Sequence, residues 1–359
     1  VALHSRVVDS PEVPLFVHWP RNRPQAFIGR GESPVDVRWL RSQVEAYHVQ
    51  RDYWNALFRA YNARIFTSWY RFDGLHCAIA DAMEEQGGVT SIYQWAYQPD
   101  PSVEIAVDAD LMFGYSTSDA DVERRSGSTI PYHVAVGYFG DHRVPLLRES
   151  AKQVRDKLMS AGATYILAYF DENSHADTRW HTGHELMRES YAFLLEKVLS
   201  EPWFGLAIKP KIPSTLRSRL GPVRELLERA VRTGRCHVYE TGQRLFNSRP
   251  PVEAALAADI AVHGHLCAST AGLEAALAGV PTLLLDREGW HVSPLYELGL
   301  GKVVHTSLED LWATMLDHRG QANDHSGVGD WSPIIAQLDP FRDGRAAERM
   351  GEYLKWLMD

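Results

Sequence analysis

The sequence predicts an α/β protein with parallel sheets, organised in two domains. Short apolar runs typical of buried strands alternate along the whole chain with amphipathic stretches typical of helices. The length, 359 residues, also exceeds that of most single domains. We expect a first domain over residues 1–150, a second over 151–335, and a separate terminal segment over 336–359.

The first half of the chain is predicted to contain a run of strands with two helices among them. Gly87 and Gly88 mark the end of the second helix, because glycine readily adopts the backbone conformation that closes a helix. The predicted strands are 14–19, 64–69, 89–95, 109–116 and 132–137, and the predicted helices are 37–62 and 76–86.

The second half repeats the alternation more regularly. A polar segment at 171–183 separates a strongly apolar strand from the next helix, and its length favours a functional loop. The predicted strands are 164–170, 204–209, 236–240, 259–262, 281–285 and 302–305. The predicted helices are 151–161, 184–199, 216–232, one that starts near Ser269, 308–316, and an amphipathic one within 339–358.

Composition limits the classes of function. The net charge of -9 gives no reason to expect general nucleic-acid binding. Cys77, Cys236 and Cys267 are far apart and lack metal-ligand spacing, so we expect a reducing, cytoplasmic environment. No apolar run is long enough to span a bilayer, and no signal peptide is evident. Because the sequence begins at Val1 without an initiator Met, the possibility that it is part of a longer protein stays open.

The segment AADIAVHGHLCASTAGLEAALAGVPTLLLD, residues 257–286, carries the strongest functional signal. It is predicted to form a buried strand, a turn of small residues, an amphipathic helix and a second buried strand. Ser269 and Thr270 stand where this helix starts, and we expect Glu274 in its first turn. Free N–H groups at a helix N-terminus can bind phosphate. Simple helix capping by the two hydroxyl residues explains the pattern equally well.

This segment resembles the donor-nucleotide site of GT-B glycosyltransferases. In those enzymes a small-residue turn and a helix glutamate precede a G-x-P strand, represented here by Gly279 and Pro281. The resemblance implies two Rossmann-like domains that face a cleft, and a C-terminal helix that crosses back to the first domain. It also implies that Ser269 and Thr270 hold the donor phosphate and that Glu274 holds the ribose.

Two other loops follow predicted strands of the second half. Glu172, Asn173 and Ser174 could reach the donor phosphate or acceptor hydroxyls, although a solvated polar loop is an alternative interpretation. His263 and His265 lack further ligands at a familiar zinc spacing, so we predict no metal site. We expect His265 either to face the nucleotide or simply to pack.

Lys209 and Lys211 follow the strand at 204–209. The pair Lys209-Pro210 resembles the start of the K-P-H-P motif of bacterial sialyl- and Kdo-type GT-B transferases, but Lys211 and Ile212 replace its last two residues. A lysine beside the phosphate would neutralise charge as the leaving group departs. A surface turn with two solvated lysines is the alternative.

In the first half, the run DGLHCAIADAMEEQGG at 73–88 resembles the first loop and helix of GT-B enzymes. Asp73 or His76 would then be the base that removes the acceptor proton, since either side chain can be tuned for proton transfer. The alternative is that Asp73 caps the helix and His76 only begins it.

Aromatic side chains are concentrated near the ends of the first-half strands. They could stack on the faces of sugar rings or could equally belong to the hydrophobic core, and for Trp69 we expect the core; the residues are Trp69, Tyr70, Trp95 and Tyr97.

The segment DPFRDGRAAERMGEYL at 339–354 resembles the C-terminal signature of a bacterial surface-carbohydrate (O-antigen or capsule) biosynthesis family. The resemblances together imply an inverting, metal-independent glycosyltransferase of surface polysaccharide or lipopolysaccharide synthesis. It would use a nucleotide-sugar as co-substrate, no cofactor, and a glycan or lipid-linked glycan acceptor at the inner face of the membrane. A nucleotide-sugar 2-epimerase, and a non-catalytic module of a synthase complex, stay open.

Overall fold

The computed structural model describes residues 16–18, 33–176, 183–240, 249–266, 269–320 and 327–359, and for 16–18 it describes the backbone only. Two sheets organise these residues, one in each half of the chain. Among the described residues no helix is long and apolar enough to cross a bilayer.

The first sheet has five strands in the order β1-β5-β4-β3-β2. Strands β2 to β5 run parallel, whereas β1 pairs antiparallel with β5 at one edge, a position that the sequence did not predict. The strands are β1 Phe16–His18, β2 Ile65–Ser68, β3 Val89–Tyr93, β4 Leu111–Gly114 and β5 Tyr132–Ala135. The helices of this part are α1 Pro34–Tyr61, α2 Leu75–Glu85 and α3 Asp119–Ser126.

Helix α1 shows why local sequence sets the helix boundaries. Ser33 caps its start by accepting a hydrogen bond from the Asp36 amide at 3.2 Å, and Pro34 occupies the first turn, where no N–H partner is needed. Asn62 ends the helix in the left-handed conformation, with φ of 48°. The face opposite to solvent packs Phe58 against Ile79 and Met83 of α2.

The second sheet has six strands, all parallel, in the order β11-β10-β9-β6-β7-β8. Every residue of β6, β7, β9 and β10 is buried, as expected for a parallel sheet covered on both faces by helices. The strands are β6 Tyr165–Phe170, β7 Phe204–Lys209, β8 Cys236–Val238, β9 Ile260–His263, β10 Thr282–Leu285 and β11 Val304–His305. The helices are α4 Val144–Ser160, α5 His184–Ser200, α6 Pro213–Leu220, α7 Arg224–Arg232, α8 Pro251–Leu256, α9 Thr270–Leu277 and α10 Leu308–Gly320.

Two helices differ from their predicted bounds. The helix predicted over 216–232 is interrupted, because Gly221 adopts a φ of 54° and Pro222 has no amide hydrogen to continue the helical ladder. The helix predicted from residue 151 begins at Val144 and runs across the expected boundary at residue 150. Helix α4 packs on α8 and on strands β7 and β8 of the second sheet.

The chain ends with α11, Ser332–Leu338, and α12, Ala346–Met358. Helix α12 lies on the first sheet, where the Tyr353 ring packs edge-on against Phe113 at 5.7 Å between ring centroids. Arg349 adds a hydrogen bond from Nη1 to the Val136 carbonyl at 2.9 Å. The terminal helix therefore crosses back to the first domain, as the GT-B resemblance implies.

Candidate active site

Polar side chains follow four neighbouring strands of the second sheet, at the end where each strand finishes. Parallel strands share one carboxyl end, so loops that are distant in sequence meet there. We define the polar row as the side chains that cross this end in the order of strands β7, β6, β9 and β10, namely Lys211, Glu172, His263, His265 and Glu288.

Asp171 anchors the loop after β6. Its carboxylate is buried and accepts hydrogen bonds from the Lys211 amide at 2.6 Å, the Tyr191 hydroxyl at 3.0 Å and Arg219 Nη2 at 3.1 Å. Arg219 also donates to the Glu172 carbonyl at 3.2 Å. Neither Asp171 nor Arg219 is among the residues predicted from the sequence. Asp171 could have been found as the first polar residue after an apolar strand, but nothing in the sequence pairs it with Arg219.

Glu172 lies between two basic partners. It forms an ion pair with Lys211 Nζ, and its Oε1 lies 3.7 Å from His263 Nε2. Burial alone would raise the pKa of Glu172, but the nearby His263 and the Lys211 ammonium outweigh it and lower the pKa. Glu172 is therefore an ionised carboxylate at neutral pH.

The neighbouring residues of this loop have mainly internal contacts. Asn173 Oδ1 accepts a hydrogen bond from Thr215 at 3.3 Å. Ser174 is buried, and its hydroxyl lies 2.7 Å from His184 Nδ1. These contacts shape the loop, and the predicted role of the two residues toward a ligand stays a prediction.

His263 and His265 are both buried at the end of β9. The distance from His265 Nδ1 to Glu288 Oε1 is 2.6 Å, and the ring centroids of the two histidines are 6.5 Å apart. Both nitrogens of His263, and Nε2 of His265, have no hydrogen-bond partner within the described part of the chain. Burial lowers the pKa of His263, which favours its neutral form, despite the nearby Glu172 carboxylate.

Lys209 is a buried lysine at the end of β7. Its Nζ donates to the Pro210 carbonyl at 2.7 Å. Burial lowers its pKa, while the carboxylates of Asp171 and Glu274 act in the opposite direction. The alternative of a solvated surface lysine is therefore wrong for Lys209. Lys211, by contrast, is partly exposed.

Helix α9 begins at the predicted place, with Ser269 at its cap position. The fully buried Ser269 hydroxyl donates to the Leu266 carbonyl at 2.7 Å, and the Thr270 hydroxyl accepts from the Tyr97 amide at 2.8 Å. Both hydroxyls are thus engaged within the protein. The first amides of a helix have no partner inside the helix, so they are the groups left for an anion at this end.

Glu274 lies in the second turn of α9, not in the first turn as expected, and its side chain is buried. Its Oε1 has no hydrogen-bond partner among the residues that the structure describes. Burial raises the pKa of Glu274 to about 7, although Arg143 and Lys209 lower it, and Tyr138 lies beside it. Glu274 therefore faces side chains of the first half of the chain rather than open solvent.

Loops of the first sheet contact this end of the second sheet. The Tyr97 amide, after β3, binds Thr270, and Trp290 Nε1, after β10, donates to Asp100 at 2.7 Å. The carboxyl ends of the two sheets therefore face each other across these contacts.

The predicted base residues lie at the start of α2. Asp73 accepts hydrogen bonds from the Leu75 amide at 2.9 Å and from the Tyr70 hydroxyl at 3.1 Å, while Gly74 occupies the cap position of this helix. Burial lowers the pKa of His76, and its Nδ1 is buried without a hydrogen-bond partner in the described residues. A neutral imidazole is the form that can accept a proton. The choice between the two residues stays a prediction.

A small recess lies at the carboxyl end of the first sheet, with a volume of about 50 Å³. We define the aromatic recess by the aromatic residues that line it, namely Trp69, Phe72, Tyr93 and Trp95. The Trp69 and Trp95 rings lie 5.2 Å apart. Trp69 is partly exposed, so its predicted place in the core is wrong. Tyr97, by contrast, is buried with Leu273 and Tyr138, where it cannot stack on a ligand in this structure.

A largely buried ion pair, Arg71–Glu123, also lines the aromatic recess. Arg71 Nη1 is 2.7 Å from Glu123 Oε1, and Arg71 Nη2 also binds Glu123 and the Ile105 carbonyl. The sequence analysis did not select this pair, since its two members are 52 residues apart.

Comparison with known proteins gives matches in structure alone. No family model matches the chain, and no curated protein sequence matches it. A putative UDP-N-acetylglucosamine 2-epimerase from Listeria monocytogenes gives a TM-score of 0.54 at 16% identity, covering 88% of this chain and 79% of that one. The S. aureus MnaA–UDP co-structure gives 0.53 at 11% identity, with coverages of 88% and 81%.

A third match is a UDP-forming α,α-trehalose-phosphate synthase from Burkholderia xenovorans in complex with glucose-6-phosphate. Its TM-score is 0.51 at 11% identity, with coverages of 89% and 78%. The chain has the GT-B fold. In this fold the first sheet belongs to the N-terminal Rossmann-like domain and the second sheet to the C-terminal one. The aromatic recess therefore lies on the N-terminal side of the cleft, and the polar row lies on the C-terminal side.

Proposed function

We propose that this protein is a glycosyltransferase that moves a sugar from a nucleotide-sugar to a glycan acceptor. The observation that carries the proposal is the pairing of two different surfaces across the cleft. The polar row suits a phosphorylated donor, and the aromatic recess suits the apolar face of a sugar ring. An enzyme that only rearranges one bound nucleotide-sugar needs no second surface of this kind.

The donor would bind at the C-terminal domain. Lys211 and the amide end of α9 would meet the phosphates, as the electrostatics of a helix N-terminus favour. The buried Lys209 would add positive charge near the phosphates. Glu274 would bind the ribose hydroxyls once Tyr138 moves aside. Two of the similar structures are of proteins whose descriptions name UDP-linked chemistry, which supports a nucleotide-sugar as the donor.

The acceptor would bind at the N-terminal domain. Trp95 and Trp69 would stack on a sugar ring of the acceptor glycan and bring a hydroxyl toward the donor. Asp73 or His76 would take the proton of that hydroxyl as its oxygen attacks the anomeric carbon. One displacement of this kind inverts the configuration at that carbon, and positive side chains with helix amides would stabilise the departing phosphate without a metal or cofactor.

The proposed biological acceptor follows from the C-terminal segment. The resemblance of residues 339–354 to a surface-carbohydrate family favours a glycan, or a lipid-linked glycan, of bacterial surface polysaccharide or lipopolysaccharide synthesis. Such an acceptor would bring the enzyme to the inner face of the cell membrane.

The first test is thermal melting of the purified chain with UDP, GDP, dTDP, CDP and CMP. A ligand that binds only the folded protein raises the melting temperature, so one nucleotide should give a clear increase. The corresponding nucleotide-sugar is then supplied with a panel of glycans, and release of the nucleotide is measured with and without each glycan. Release that requires the glycan supports a transferase, whereas sugar isomerisation without any glycan supports a 2-epimerase. Failure of all nucleotides to stabilise the chain would favour a non-catalytic module.

A matched pair of lysine variants locates the donor site. Lys211→Ala should weaken nucleotide binding about tenfold, because it removes a charge next to the phosphates. Lys152→Ala is the control, since Lys152 also pairs with a carboxylate, Asp156, but on an exposed face of α4. Equal affinities of the two variants in calorimetric titrations would place the phosphates elsewhere.

A further inference from the structure

His265 and Glu288 form a buried imidazole–carboxylate pair in the polar row. Glu288 Oε1 lies 2.6 Å from His265 Nδ1, and both side chains are more than nine-tenths buried. An ionised carboxylate can only accept a hydrogen bond, so the proton of this contact belongs to Nδ1. The other ring nitrogen, Nε2, is buried and has no hydrogen-bond partner in the part of the chain that the structure describes.

The fold creates this pair from two adjacent parallel strands. His265 comes two residues after β9 and Glu288 three residues after β10, and the register of these strands brings both loops to the same end. Gly264 lets the chain pass close to Tyr169, because a Cβ atom there would collide with the Tyr169 ring and hydroxyl. Helix α9 begins five residues after His265.

We propose that His265 is a catalytic residue that binds the departing phosphate of the donor through Nε2, and that Glu288 is its positioning residue. The proposal rests on the proposed function, since it assigns a role within the same donor site. In the proposed complex, a phosphate held by the first amides of α9 also accepts a hydrogen bond from Nε2 of His265. A ring protonated at both nitrogens would carry a positive charge that Glu288 balances at Nδ1 and that the phosphate meets at Nε2.

The step balances with the groups named. The acceptor oxygen forms a bond to the anomeric carbon while the bond from that carbon to the phosphate oxygen breaks. The electron pair of the broken bond stays on the phosphate oxygen, which accepts the hydrogen bond from Nε2–H. The acceptor proton goes to the base on the N-terminal domain, so no oxidant or further reactant is needed.

The test compares binding of a nucleotide with binding of its nucleoside. Calorimetric titrations use UDP and uridine, or GDP and guanosine or dTDP and thymidine if the melting panel selects those bases. His265→Asn retains a donor near Glu288 but lacks an atom at Nε2, so it should bind the diphosphate about tenfold more weakly and the nucleoside within about twofold of the unmodified protein. His265→Gln, which places a donor near Nε2, should recover part of the loss.

A double-mutant cycle tests the role of Glu288. Glu288→Gln should weaken diphosphate binding several-fold, Glu288→Asp should weaken it less, and Glu288→Gln should have no added effect in the His265→Asn protein. Additive losses, or equal losses for diphosphate and nucleoside, would overturn the proposal. Normal diphosphate binding by His265→Asn would overturn it while the proposed function stands. If the unmodified chain binds no nucleotide at all, the proposed function itself fails.

Discussion

The two sheets of this protein are both built mainly from parallel strands, but they differ in strand order and in what they present at their carboxyl ends. The C-terminal sheet presents the polar row, in which two histidines and a lysine lie among the carboxylates of Glu172 and Glu288. The N-terminal sheet presents the aromatic recess, with Trp69 and Trp95 at its mouth. One architecture therefore supplies two chemically different surfaces, because the loops after the strands vary independently of the strands.

The same comparison extends to the residues that support each surface. Among the described residues, each domain contains an arginine–carboxylate pair that is almost fully buried, Arg71–Glu123 in the N-terminal domain and Arg219–Asp171 in the C-terminal one. The first pair supports a hydrophobic recess that has few other charges. The second pair belongs to a continuous polar network, so we expect the removal of one of its side chains to affect more of the neighbouring residues.

The largest expected effect is on stability, in Asp171→Ala. This change leaves Arg219 buried without its partner and removes the acceptor of the Tyr191 hydroxyl and the Lys211 amide, so it should lower the free energy of unfolding by about 3 to 5 kcal/mol. Urea denaturation measures this loss of stability. Asp121→Ala, which removes an exposed ion pair with Arg124, is the control and should change stability by less than about 1 kcal/mol. Similar values for both variants would contradict the assigned network.

The next effect concerns Glu274 and depends on pH. Its folded-state pKa of about 7 exceeds the ordinary value of 4.5, so the folded protein binds a proton that the unfolded chain releases between these pH values. Stability due to this group therefore falls as the pH rises from 4.5 to 7. Glu274→Gln should be more stable than the unmodified protein at pH 8, by about 1 to 3 kcal/mol, with no gain at pH 4.

This variant also separates stability from function. If Glu274 binds the ribose, Glu274→Gln should lose nucleotide affinity while it gains stability, which is a common trade-off at binding sites. Glu196→Gln, an exposed change on α5, is the control for the pH series. A gain in stability of the same size at pH 4 and at pH 8 would show that the carboxylate is not responsible.

The smallest expected effect on stability is in the aromatic recess. Trp95 is 41% exposed, so Trp95→Ala should lower stability only modestly, by about 1 kcal/mol, and leave nucleotide affinity unchanged. Loss of stacking should raise the KM for the acceptor glycan about three- to tenfold. Trp39→Ala, at an exposed tryptophan of α1, serves as the control. An unchanged KM in Trp95→Ala would remove the aromatic recess from the acceptor site.

Parts of the site could be predicted because they follow directly from strand and helix patterns. Lys209, Glu172 and His265 were selected because each stands at or just after the end of an apolar strand, and α9 was placed correctly by its small-residue start. Arg219 and Glu288 were missed because their partners, Asp171 and His265, are 48 and 23 residues away in sequence. Local patterns carry no information about such pairs.

The sequence by itself determined the alternation of strands and helices, and with it the two-domain α/β architecture. This follows from pattern and length together, since the helices carry amphipathic spacing whereas the buried strands are short, continuous apolar runs bounded by turn residues. Only the tertiary structure decided that Tyr97 is buried beside α9, that Trp69 is partly exposed, and that Glu274 faces Tyr138 rather than solvent. These outcomes depend on how the two sheets meet, and burial at such a junction is a property of both surfaces together.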